Sequence, residues 1–121
     1  MDTKLVYMPW GKYEILLDSI TCKVKRITIN PAQRLSYQYH LKRQEQWTVI
    51  EGDLTIVLDD RIHTRGRGQS IHIPRGARHR AWNETNDDVV FIEVQSYDAV
   101  KHFGEDDIVR ISDDYGRSEL P

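Results

Sequence analysis

The sequence of 121 residues has a single cysteine, no apolar run approaching the roughly 20 residues that cross a bilayer, and no excess of positive charge. Each shortage excludes something. Cys22 has no intramolecular partner, so the chain is built without a disulfide and the cytoplasm is its expected compartment. The opening "MDTKLVYMPWGKYEILLD" has no basic segment followed by an apolar one, so no secretory leader is expected, and the membrane is not an expected partner. With 17 Lys and Arg against 19 Asp and Glu the net charge is -2, which gives no global attraction to nucleic acid. Long segments of 3.6-residue periodicity are also missing, so a transcriptional regulator carrying a helix-turn-helix is not expected.

What the chain does have is short apolar alternation. The pieces are 13–17 (YEILL), 22–30 (CKVKRITIN), 35–40 (LSYQYH), 47–52 (WTVIEG), 54–58 (LTIVL), 70–74 (SIHIP), 78–82 (RHRAW) and 89–95 (VVFIEVQ), and each reads as a strand. Between them lie "NPAQ", "EGD", "LDDR", "RGRGQ", "PRGA" and "NETNDD", turn chemistry at intervals of about ten residues, which indicates an antiparallel sandwich or barrel. In 22–30 the apolar residues are Cys22, Val24, Ile27 and Ile29; the period slips near Lys25 and Arg26, and a β-bulge there is the simplest expectation. One domain over 1–121 is expected, with a barrel core over about 10–97 and a C-terminal tail over 98–121 packed on the barrel or frayed from it at "DDYGRSELP".

Charge is distributed unevenly. Arg61 to Arg80 contains six arginines and no Asp or Glu, while acidic residues dominate after Glu93. A basic face neutralised by the tail and a pocket for an anionic ligand both fit that pattern.

Chemistry concentrates in two places. On a strand, residues two apart share a face, so Gln38 and His40 project together, and Glu45 returns on the next strand after the connection "LKRQ". In "GQSIHIPRGARHRAWN" a tight turn delivers His79 onto a new strand as a fourth candidate ligand. His63, His72 and His102 fit no such pattern.

These two stretches resemble the paired motifs of the cupin superfamily. "QYHLKRQEQWTVIEG" is similar to the first, with Gln38 where many members have histidine, and "GQSIHIPRGARHRAWN" to the second at every fixed position. Over nearly the whole chain, "PWGKYEIL", "KVKRITINPAQRLSYQYH", "RQEQWTVIEG", "IPRGARHRAWN", "IEVQ" and "GEDDIVRISDDYGR" resemble the C-terminal cupin domain of type II mannose-6-phosphate isomerases, which also has glutamine at the position of Gln38. Many members fuse this domain to a mannose-1-phosphate guanylyltransferase, and no Gly-rich nucleotide-binding segment precedes Trp10 here. Tyr37, Tyr39, Leu41, Lys42 and the longer "SYDAVKHFGEDD" depart from the family pattern.

The resemblance implies an all-β fold, a small antiparallel double-stranded β-helix, with one divalent metal held by Gln38, His40, Glu45 and His79. Two imidazoles, a carboxylate and an amide suit zinc, with manganese, cobalt, nickel or iron also accommodated. It implies interconversion of mannose 6-phosphate and fructose 6-phosphate through an enediol, with a small phosphorylated sugar as partner. Glu93 is the expected base or else a buried hydrogen-bonding partner of a metal ligand or arginine, Arg80 a catalytic or phosphate contact, and Arg43 a further phosphate contact; Arg110 and Arg117 are either phosphate contacts or, the favoured reading, residues that dock the tail through salt bridges with the "EDD" run. Competing readings are a non-catalytic module binding a sugar phosphate or nucleotide sugar, and a metal-dependent oxygenase, which the weak amide donor disfavours. Because edge strands expose unpaired backbone groups, a homodimer joined through the "YEILL" strand is expected.

Overall fold

In the computed structural model, which describes residues 3–97 and 107–118, the chain forms eleven strands and, among the described residues, no helix. They are β1 (Lys4–Met8), β2 (Gly11–Asp18), β3 (Cys22–Ile29), β4 (Tyr37–Tyr39), β5 (Arg43–Glu51), β6 (Leu54–Leu58), β7 (Arg61–Arg65), β8 (Ser70–Ile73), β9 (His79–Trp82), β10 (Val89–Tyr97) and β11 (Val109–Ser112). Two antiparallel sheets face each other, ordered β1-β2-β3-β10-β5-β8 and β11-β4-β9-β6-β7. Every expected strand segment is present. Three strands lie outside them: β1 and β7, edge strands with exposed or charged residues, and the short β11 in the tail.

Alternate residues of the larger sheet point inward and meet across strands in rows. One row is Ile27, Phe91 and Val49, with Ile29 opposite Val89 beyond it. With Trp10, Trp47, Leu54, Ile56 and Ala81 these form the buried apolar core. Tight turns set the spacing: Gly52 ends β5 at φ 83°, and at Gly11 a Cβ would sit 2.1 Å from the Thr28 carbonyl oxygen. Asn83 is wholly buried, its amide donating to the carbonyls of Ile29, Asn30 and Asp87 and its oxygen accepting from Thr85, so this motif residue stitches loops together.

The expected bulge in β3 does not occur. β3 pairs with β10 in unbroken register, and the irregularity lies in β2, between Ile15 and Leu17. The apolar pattern slips because Lys23 and Lys25 occupy inward positions in line with Ile27 and Ile29, each 4% exposed. Residues 113–118 are also ordered against the barrel. Arg34 makes a two-pronged pair with Asp114 (2.7 and 2.9 Å), Tyr115 hydroxyl donates to Gln33, and Arg80 donates to the Ser112 carbonyl. The "YEILL" strand is not an edge: β1 covers β2, so the free edge belongs to β1.

Candidate metal centre

The strand alternation that buries Trp47 and Val49 on β5 also turns Arg43 and Glu45 inward, and β9 opens on an inward His79 facing them from the other sheet. His40 follows β4 directly. One ligand atom from each of His40, Glu45 and His79 lies within 4.8 Å of the others, and all three residues are buried. Gln38 is the cross-strand partner of His79; its Oε1 accepts a hydrogen bond from Ser36 Oγ at 2.8 Å.

Both imidazoles are oriented by carbonyls. Nδ1 of His40 donates to the Asp107 carbonyl (2.6 Å) and Nδ1 of His79 to that of Ala77 (2.9 Å), which leaves each Nε2 with its lone pair toward the centre. Asp107 fixes this arrangement further, its carboxylate accepting from the backbone N–H groups of Leu41 and Lys42 at 2.9 and 2.8 Å. Burial pushes the His79 imidazole down to about 4, so it is neutral at physiological pH. Among the described residues its Nε2 is buried without a hydrogen-bond partner, 3.8 Å from Glu45 Oε1.

Glu45 would be raised by burial, yet the Arg43 guanidinium beside it holds it well below the usual carboxylate range. Arg43 donates through Nε to Glu45 Oε2 (2.8 Å) and through Nη2 to His40 Nε2 (3.1 Å), while Trp47 donates to Glu45 Oε1 (3.0 Å). An orphaned buried nitrogen facing a carboxylate, flanked by a second oriented imidazole and an amide, is a donor set that fits a divalent first-row ion.

A cavity of about 80 Å³ adjoins the centre. Gln38 and Arg43 border it on the metal side, Lys25, Tyr13, Ile27 and Glu93 form its floor, Met8 and Trp10 an apolar wall, and Arg110 and Arg117 reach it from the tail. Burial raises the Glu93 carboxyl to about 7, helped by the Glu45 charge and opposed by Lys25 and Arg43. A chain of hydrogen bonds runs along β10, from Tyr97 hydroxyl to Gln95 Oε1 (3.0 Å) and from Gln95 Nε2 to Glu93 Oε1 (2.5 Å).

Of the residues expected at a site, Gln38, Arg43, Glu93, Arg110 and Arg117 line this cavity; Arg80 does not. Arg80 points between the sheets' connections, its Nε on the Leu35 carbonyl (2.8 Å) and its Nη2 on that of Ser112 (3.2 Å), which ties the tail to β9. The guanidinium of Arg117 is held by Asp113 at 2.9 and 3.0 Å, and Arg110 has a buried Nε with no hydrogen-bond partner among the described residues. Sequence reasoning passed over Lys25, Tyr13 and Asp107. Strict period-2 counting back from Ile29 would have turned Lys25 inward; nothing local to Asp107 signals its contact with His40.

A family profile described as "Mannose-6-phosphate isomerase C-terminal" matches residues 2–113. The chain is 41% identical over 112 residues to a mannose-1-phosphate guanylyltransferase of Escherichia coli, covering 93% of this chain and 23% of that one. It is 40% identical over 116 residues to the alginate biosynthesis protein AlgA of Pseudomonas aeruginosa, covering 96% and 24%. The chain therefore spans about a quarter of the length of these curated relatives. Among solved structures, a cupin-superfamily sugar phosphate isomerase from Silicibacter pomeroyi aligns with a TM-score of 0.64 at 24% identity, covering 70% of this chain and 58% of that one. An RmlC-like cupin from Shewanella frigidimarina aligns at 0.69 and 18% identity, covering 79% and 85%. The two facing antiparallel sheets are thus the double-stranded β-helix of the cupins, and the chain belongs to the family of mannose-6-phosphate isomerase C-terminal domains.

Proposed function

We propose that this domain is a metal-dependent sugar-phosphate isomerase that interconverts mannose 6-phosphate and fructose 6-phosphate through an enediol. The observation that carries this reading is the adjacency of two unlike groups: an orphaned His79 Nε2 within a His–Glu–His cluster, and a buried carboxyl poised near neutrality in the adjoining cavity. His40, Glu45, His79 and Gln38 would hold one divalent ion, zinc first among those that suit the donors. Once bound, it supplies Lewis acidity toward the carbonyl and hydroxyl oxygens of the sugar.

The residues of the chain do the rest. Glu93 takes the proton from C2 of the aldose; the C–H electron pair becomes the C1–C2 double bond, and the carbonyl pair moves onto O1. The protonated Glu93 then returns its proton to C1 as the O2 proton passes to O1. Its pKa near 7 suits a group that must both accept and release a proton at neutral pH. Arg110 and Arg117 pair with the phosphate from the tail side, and Met8 and Trp10 shield the reacting carbons from water. Arg43 holds Glu45 and His40 in place.

The experiment is a coupled assay for fructose 6-phosphate formed from mannose 6-phosphate, with the purified chain loaded in turn with zinc, manganese or cobalt. Turnover with at least one ion is expected, and its absence with all of them would refute the reading. A second reading, a module that binds a sugar phosphate or nucleotide sugar without turnover, draws support from the names of the relatives, which specify guanylyl transfer. A homodimer belongs to the proposal, with β1 in place of β2 as the pairing edge; a monomeric sedimentation profile at micromolar concentration would count against it.

A further inference from the structure

Lysines on the inward face of a barrel strand cost desolvation free energy, and β3 has two of them in consecutive inward positions. They differ in surroundings. Lys23 sends its ammonium toward the half-exposed Asp18, 4.0 Å away. Lys25 lines the cavity, its Nζ 4.1 Å from the centroid of the Tyr13 ring, also a cavity residue. It is the direct ladder partner of Glu93, so the two side chains leave adjacent strands on the same face at neighbouring positions.

We propose that Lys25 is a catalytic residue that contacts the reacting oxygens of the sugar and stabilises the negative charge that develops on them. The inference rests on the isomerase reading and adds a residue to it. The reacting carbons must lie against Glu93, so the cation beside Glu93 sits at the reacting end of the substrate. Arg110 and Arg117 line the same cavity from the tail, and on that reading they take the phosphate. When Glu93 takes the C2 proton and the carbonyl electron pair moves to O1, an ammonium hydrogen-bonded to O1 and O2 of a cis-enediolate is attracted more strongly than by the neutral aldose. The step moves no proton through Lys25: the proton on Glu93 returns to C1, the O2 proton passes to O1, and no other reactant is needed. The cavity floor thus has a carboxylate that moves a proton and, next to it, a cation that answers the charge this creates.

The tests use Lys25→Met, which keeps the length and removes the charge, and Lys25→Cys in a Cys22→Ser background, alkylated with 2-bromoethylamine to rebuild an ammonium at nearly the native reach. Loss of charge should lower kcat by about 100- to 1,000-fold, the scale for a lost oxyanion donor, with KM changed less than about threefold. Alkylation should recover at least about tenfold of it. Binding supplies a readout that does not require turnover: arabinonate 5-phosphate, whose carboxylate resembles the enediolate, against glucitol 6-phosphate, which has no charge at that end. The unaltered chain should prefer the first, and Lys25→Met should lose that preference while binding glucitol 6-phosphate as before. A kcat within threefold of the parent, a loss confined to KM, no recovery on alkylation of folded protein, or equal weakening of both analogues would each overturn the role of Lys25. If the unaltered chain binds neither analogue and turns nothing over, the isomerase reading falls and Lys25 with it. If the unaltered chain isomerises and Lys25→Met matches it, only the Lys25 proposal falls.

Discussion

The two halves of the barrel interior are built on the same strands and hold opposite chemistry. On β3, Ile27 and Ile29 give way to Lys25 and Lys23; on β10, Val89 and Phe91 to Glu93 and Gln95; on β5, Val49 and Trp47 to Glu45 and Arg43; on β9, Ala81 to His79. Side chains keep alternating along each strand through the change, and the β3–β10 ladder runs across it without a break. Backbone pairing is indifferent to what the inward side chains are, so the apolar half supplies the burial that holds the barrel together, and the polar half is free to carry chemistry. The lesson is that the site is marked by where inward positions stop being apolar.

Substitutions can break that contrast or sharpen it. The largest effect is expected in the polar half: Glu93→Gln keeps shape and removes the proposed base, and should lower kcat/KM by roughly 100- to 10,000-fold with the thermal midpoint nearly unchanged. Its counterpart in the apolar half, Phe91→Ala, should cost about 3–5 kcal/mol in urea unfolding while the folded fraction keeps its metal and turnover. If Phe91→Ala abolished turnover in folded protein, or Glu93→Gln unfolded the chain, the division would fail. His79→Ala should weaken ion retention by more than the roughly 10- to 100-fold that loss of a ligand's orienting partner costs, read by elemental analysis after dialysis. Full metal content in that variant would exclude His79 as a ligand.

The pH dependence is next in size. Burial, then the Glu45 charge, raises Glu93 to about 7, so kcat/KM should climb as pH rises through about 7 and level off above it. The stability contribution has the opposite sense. A carboxyl with a raised folded-state pKa binds more protons folded than unfolded, so its contribution is complete below the ordinary carboxylate range and lost as pH rises through about 7. Urea midpoints at pH 5 and pH 8 should therefore differ between the unaltered chain and Glu93→Gln by that slope, and identical slopes would mean that Glu93 titrates as an ordinary carboxyl. The smallest effect belongs to the surface: Arg34→Ala removes a two-pronged but partly exposed pair with Asp114, and should cost no more than about 1 kcal/mol.

Much of the contrast could be read from the chain beforehand. Alternation at 47–52, 54–58 and 89–95 identified central strands because both neighbours and the core constrain them. Strands β1 and β7 escaped notice because an edge strand is constrained from one side only, and "KLVYM" and "RIHTR" carry little of the pattern. The bulge expected at Lys25 shows the limit most directly: a rule that equates inward with apolar misreads a strand whose inward residues include two lysines. Arg80, adjacent to the candidate ligand His79 in sequence, lies on the carbonyls of Leu35 and Ser112, because neighbours on a strand face opposite ways.

By itself the sequence determined the all-β class, the strand segments of the core, the motif glycines and the identity of the four candidate ligands, because period-2 alternation and turn chemistry are local properties of the chain. Only the tertiary structure decided that the Asp107 carbonyl orients His40, that β1 and not β2 forms the edge, that Arg110 and Arg117 reach the cavity while Arg80 does not, and that Lys25 stands beside Glu93. Those relations depend on register and on which strands become neighbours. A one-residue change in either would send the same side chains to the opposite face, and no local pattern encodes that choice.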